Sequence, residues 1–159
     1  MNKSKWFAVV ISTLVLSVSC VAYAQTYFDP PTLVVTKPVQ PVSSIAPTGA
    51  LHVRFTNADL TARGADIIVD DITVVKSGAS DDEAFDDIVL INSEGEELGS
   101  GSLDDDHTVH FIDPIYIPRN TTLRVTVAAN MVDDLTGFDG QVASFTITNI
   151  AAHGYIKVQ

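Results

Sequence analysis

The chain has 159 residues, with 20 Asp and Glu against 9 Lys and Arg and a formal charge of −11. That excess of one sign excludes nucleic acid and anionic membrane surfaces as natural partners. The single cysteine, Cys20, excludes an internal disulfide, so the fold must be held by its core, by a metal or by neighbouring molecules.

The N-terminal segment reads as an export signal. Lys3 and Lys5 form a positive start, Trp6 to Val21 an apolar stretch, and Ala22-Tyr23-Ala24 a small-x-small cleavage site before Gln25. Lipoprotein processing at Cys20 is the competing route, with Ser17 where a lipobox has an aliphatic residue. Removing residues 1–24 takes Lys3 and Lys5 with it, which moves the formal charge from −11 to −13 over 135 residues. The expected location is extracellular or on the cell surface, with no membrane insertion after cleavage.

Residues 25–48 read as an extended arm, a spacer with one strand in it. Five of the seven prolines fall between Pro30 and Pro47, and polyproline-like geometry is stiff. After the aromatic pair Tyr27-Phe28 comes the strand pattern, Thr32-Leu33-Val34-Val35-Thr36-Lys37, fenced by Pro31 and Pro38. Proline cannot donate to a β-ladder, so the fences set the strand's length. Leu33 and Val35 share one face; Val34 and Thr36 share the other. Two destinations are open: the first edge strand of its own domain, or an assembly strand added to a neighbour's sheet.

Residues 49–159 read as a β-sandwich. Leu51, Val53 and Phe55 alternate with His52, Arg54 and Thr56, a period of two that half-buries one face. Along 66–76 the apolar parity changes at Asp70-Asp71, which predicts a bulge or a strand crossing between sheets. Phe85, Ile88 and Leu90 run into Asn92-Ser93-Glu94-Gly95, a hairpin turn. Further strands are expected at Leu98–Leu103, Val109 to Phe111, Ile115 to Ile117, Leu123 to Val127 and along QVASFTITNI (141–150). No window has a helical apolar period, so the fold class is all-β: a single antiparallel sandwich of seven to nine strands.

Four blocks carry a resemblance: DIIVDDITVVKSG, FDDIVLINSEGEELGSGSL, TVHFIDPIYIPRNTTLRVTVAAN and GFDGQVASFTITNI. Their Ser-Gly strand end, acidic hairpin and Ile-Pro-x-x-Thr-Thr strand start resemble Ig-like β-sandwich modules of prokaryotic surface-layer and pilus-like secreted proteins. The resemblance implies an Ig-like topology and a structural role outside the cell.

Groups that carry chemistry are few in kind. Acidic turns at Asp81, Asp82, Asp86 and Asp87, and at Asp104, Asp105 and Asp106, offer oxygen ligands of the type Ca²⁺ takes. Ca²⁺ is the one cofactor that suits an acidic chain without usable cysteine, and a solvated acidic surface is the plainer reading of the same residues. His107 and His110 are three apart along a strand start, hence on opposite faces and poorly placed for one metal. No nucleophile elbow or cysteine nucleophile is present, so an enzyme is not expected. Asn120-Thr121-Thr122 is a glycosylation sequon by pattern.

These readings converge on a non-enzymatic subunit of an extracellular filament or surface layer. It would self-associate into a homopolymer by adding the Thr32–Lys37 strand to the next subunit. The alternative is a monomeric secreted or surface adhesin, a ligand-binding sandwich.

Overall fold

Two antiparallel sheets lie face to face, and the alternation of apolar residues along each strand decides which side of the sheet meets the other. The computed structural model describes residues 29–43 and 46–155. Residues 1–24, read above as an export signal, with Cys20 and the aromatic pair Tyr27-Phe28, lie outside the described residues. The strands are β1 (Thr32–Thr36), β2 (Val53–Arg63), β3 (Asp66–Gly78), β4 (Phe85–Ile91), β5 (Glu97–Gly101), β6 (Thr108–Phe111), β7 (Ile115–Ile117), β8 (Thr122–Met131) and β9 (Ala143–Tyr155), with a 3-10 turn at Asp82–Ala84. Nine strands among the described residues match the upper end of the expected count.

The first sheet has the order β1-β2-β8-β4-β5. In the second, β3 pairs with β9 along one edge and with β6 and then β7 along the other. The chain passes from one sheet to the other at Gly64, whose φ of +75° is a left-handed conformation that glycine adopts without penalty. Ile67, Val69, Ile72 and Val74 of β3 face Leu60, Ile88, Leu90 and Val125 of the first sheet in one core cluster. Phe55, Phe85 and Phe145 close one end of it edge to face, with centroids 4.7 to 6.2 Å apart. Along β4, Ile88 and Leu90 join the main core, while Val89 and Ile91 form a second, small buried cluster with Ala128 of β8.

The parity change at Asp70-Asp71 is a bulge. The register against β9 shifts between Val69 and Asp71, so Asp70 is the extra residue and both halves of β3 turn their apolar side chains inward. The turn at Asn92–Gly95 also forms: Asn92 Oδ1 accepts from the N–H groups of Glu94 and Glu96, both at 2.9 Å, and Gly95 has φ +85°. Leu51 departs from its expected place. It is 73% exposed in the approach to β2, and the inward positions of that strand are Ala58, Leu60 and Ala62. A register shift between Arg54 and Thr56 resets the parity that Leu51, Val53 and Phe55 begin.

The bulge makes a specific prediction. Asp70→Ala keeps the residue count and removes only an exposed pair with His153, so it should cost less than about 1 kcal/mol. Deleting Asp70 removes the extra residue and joins Ile67, Val69, Ile72 and Val74 in one unbroken period of two, so all four can stay inward without a bulge and the cooperative unfolding transition in urea should survive. A deletion variant that loses its cooperative transition would show that apolar parity does not set the register of β3.

Candidate functional site

The arm docks on its own chain, and its address is built from residues far away in sequence. β1 pairs antiparallel with the outer edge of β2, with Thr32 opposite Arg63, Val34 opposite Thr61 and Thr36 opposite Asp59. Its fence at Pro31 sits over Gly154 of β9: a Cβ on that glycine would lie 2.3 Å from Pro31 Cβ. Asp29 and Pro30 crowd Gly64 in the same way, with their carbonyl oxygens 2.5 and 2.4 Å from the position of a Cβ there. Both glycines are therefore sockets for the start of the arm.

Beyond Thr36 the backbone ladder stops, and a side chain continues it. The Gln40 amide donates to the Asn57 carbonyl and accepts from the Asn57 N–H, both at 3.0 Å, as a peptide group of an edge strand would. Asn57 Nδ2 in turn donates to the Val39 carbonyl at 2.9 Å. Reading the Pro38–Pro47 stretch as a spacer overlooked this clamp. The signal for it was a lone amide between prolines, the one side chain there that mimics a peptide.

Parity puts Leu33 and Val35 on the inner side of β1, opposite Ala62 and Leu60. Leu33 packs against the core, but Val35 is 49% exposed. The lateral side of the sandwich is open at this point. A cleft of about 520 Å³ runs between β1 and β9, lined by Val35, Lys37, Asn57, Phe145, Ile147 and Ile150 among others. Thr56 Oγ1 crosses its floor to donate to the Phe145 carbonyl at 2.5 Å. The opposite lateral side is closed: β5 presents Gly99 and Gly101, and a Cβ on Gly101 would stand 2.8 Å from Val109 Cγ2 of β6.

The two acidic turns are brought side by side, and the cation between them belongs to the protein. Lys76 occupies an inward position of β3 with its side chain 4% exposed. Its Nζ lies 2.5 Å from Asp82 Oδ1, donates to the Ser80 carbonyl, and stands 6.0 Å from the centre of the Phe85 ring. The other oxygen of Asp82 meets His107 Nδ1 at 2.5 Å, which ties the 3-10 turn to the turn before β6. Partial burial pushes the Asp82 carboxyl up, but the hydrogen bonds and charges of Lys76 and His107 outweigh it and hold the pKa below the usual carboxylate value.

The remaining acidic residues of these turns act one at a time. Asp81 caps the 3-10 turn by accepting from the Glu83 N–H at 3.3 Å. Asp104 accepts from the Asp106 and Thr108 N–H groups at 3.0 and 2.8 Å, and Asp86, Asp105 and Asp106 are exposed, with Asp87 half-buried. No group of three or more Asp, Glu, His or Cys among the described residues converges in a metal-holding arrangement. His107 and His110 go to separate carboxylates, His107 to Asp82 and His110 to Asp71 at 3.2 Å. Lys76 was legible too: it continues the inward parity of Ile72 and Val74.

Two predictions test the sites. Gly154→Val fills the Pro31 socket and should release the arm, seen as new proteolytic cleavage before Val53 with the body of the domain intact. Protection equal to the parent would rule out the socket. Asp82→Asn strips a buried ammonium of its counter-charge and should lower stability at pH 7 by about 1–3 kcal/mol. Because the folded pKa of Asp82 is depressed, its contribution is full above the ordinary carboxylate pKa and fades as pH falls below it. The gap between parent and variant in urea should therefore narrow toward pH 3, and a constant gap would contradict the pairing.

No protein-family model, curated protein or solved structure matches this chain, so the functional reading rests on the sockets, the clamp and the cleft.

Proposed function

We propose that the protein is a non-enzymatic, exported structural subunit of an extracellular filament or surface layer, joined to its neighbours by exchange of the Thr32–Lys37 strand. The observation that carries this is the construction of the β1 address. The sockets Gly64 and Gly154, the β2 edge and the Asn57 clamp all lie in the body of the sandwich, and only the stretch from Lys37 to Leu51 ties the strand to that body. Nothing in the address distinguishes a chain's own arm from that of another copy. Exchange keeps the same hydrogen bonds and side-chain contacts, so its free-energy cost is that of association alone. Three prolines, Pro38, Pro41 and Pro47, stiffen the connection and favour an arm that reaches outward.

Strand exchange in an open head-to-tail series does not close and makes a fibre. The body offers this assembly a pre-built acceptor, and the formal charge of −13 left once Lys3 and Lys5 are removed from −11 keeps subunits apart until an arm finds an address. The lining of the lateral cleft has no carboxylate, imidazole or thiol, which supports a role without catalysis. The rival reading is a monomeric adhesin that uses the same fold with its arm permanently in place.

A pair of cysteines distinguishes the two. Val34 and Thr61 are opposite one another in register, and the exported chain with Cys20 removed contributes no competing thiol. Val34→Cys with Thr61→Cys, oxidised after assembly, should give a ladder of covalent multimers on a non-reducing gel. Assembled material that yields only monomer bands would place the arm permanently in its own chain and overturn the exchange. Failure to assemble at all under exporting conditions would favour the adhesin.

A further inference from the structure

The sandwich has four strand edges, and they are not equally protected. The β5 edge is five residues long, starts at Glu97 and contains two glycines. The β6 and β7 edge is split into four and three residues by Ile112-Asp113-Pro114 and ends at Pro118. Short length, charge and proline are the usual devices that stop strand edges from pairing with other molecules. On the open lateral side these devices thin out. β1 is short and fenced by proline, but β9 runs 13 residues from Ala143 to Tyr155 without one Asp, Glu, Lys or Arg. Its only irregularity is the bulge at Thr148.

The same side leaves inward-facing apolar groups in contact with solvent. Val35 points between the sheets and is half exposed, and Ile147 and Ile150 opposite it are only partly covered. Lys37 is the single charged residue in the cleft lining, although the chain carries 29 charged side chains counting both signs. Asp59, in register with Thr36, is held bidentate by Arg124 at 2.7 and 2.9 Å, and its pKa is lowered by that hydrogen bond.

From these observations we infer that the β1–β9 side is a two-fold interface that takes a second copy of this chain, cleft against cleft. The charge pattern selects the occupant. Two copies this acidic repel each other over most of their surfaces, and this strip is where they can meet without opposing carboxylates. The strip is also compatible with itself. Across an antiparallel two-fold, Thr32-Leu33-Val34-Val35-Thr36 sets threonine against threonine and apolar against apolar, with no like charges opposed. Pairing along β9 satisfies its free N–H and C=O groups, and the partner's own Ile147 and Ile150 cover the exposed apolar row. This interface needs no arm exchange, and so stands or falls separately from the assembly proposed above.

The test uses the full exported chain carrying Val34→Cys and Thr61→Cys, oxidised as a monomer so that the disulfide locks β1 in place and removes exchange. Sedimentation equilibrium should show a concentration-dependent dimer. Thr146 and Asn149 are exposed on β9 and face away from the core, so Thr146→Lys with Asn149→Lys leaves the fold intact and should weaken the dimer at least ~10-fold. The matching Thr146→Glu, Asn149→Glu chain should also be monomeric, and mixing the two should restore a dimer of one copy each. A locked parent chain still monomeric at ~1 mM would overturn the interface. So would a dimer indifferent to the lysines, or a mixture that stays monomeric.

Discussion

Every strand of the second sheet depends on β3. It pairs with β9 along nearly its whole length on one edge and with β6 and β7 on the other, so that sheet has no interaction that bypasses it. One strand can serve in this way only if both of its halves present apolar residues to the core. The bulge at Asp70 makes that so, because it inserts one residue where an uninterrupted period of two would have turned half of the strand outward. The β3–β9 ladder carries two such irregularities, Asp70 in β3 and Thr148 in β9, and the open lateral side lies along the other edge of β9. β9 takes its register from β3, and its end at Gly154 is where the arm begins.

The two lateral sides of the sandwich behave differently for steric reasons. On the β5–β6 side the glycines Gly99 and Gly101 let the sheets approach until Phe111 and Val109 fill the space. On the β1–β9 side there is no such approach. β1 stays paired with β2 through Thr36, yet Val35 is half exposed and Ile147 and Ile150 are only partly buried against the core. A sandwich otherwise well filled thus ends in a slot whose walls are strand edges. Such a slot can gain stability from an added extended chain or from a second copy of the same wall.

Electrostatics contributes by placement more than by strength. In the turns, Asp81, Asp104 and Asp134 accept from nearby backbone N–H groups, and these contacts fix turn geometry without gathering charge in one place. The exception is Asp82, where a buried ammonium collects the two acidic turns. A buried cation with one carboxylate partner is costly to disrupt and only modestly stabilising to form, so its effect is chiefly to fix how the turns lie. The β9 edge, by contrast, carries no Asp, Glu, Lys or Arg over its full length.

Much of this could be read from the sequence because it depends on local periodicity. The alternation along 53–63, 66–78 and 122–131 specifies strands and their inner faces, and the broken alternation at Asp70-Asp71 announces its bulge. Asn92 and Gly95 specify a turn by the hydrogen bonds and backbone angle that only such residues supply, and Lys76 falls inside by the same period that buries Val74. What the sequence could not supply was which strand lies beside which. The pairing of β1 with β2, the sockets at Gly64 and Gly154, the Gln40 clamp and the cleft between β1 and β9 join residues 17 to more than 100 positions apart. No local propensity records such distances. They are decided when two sheets pack and their twist brings particular edges together, and a glycine becomes a socket only once a proline has arrived above it.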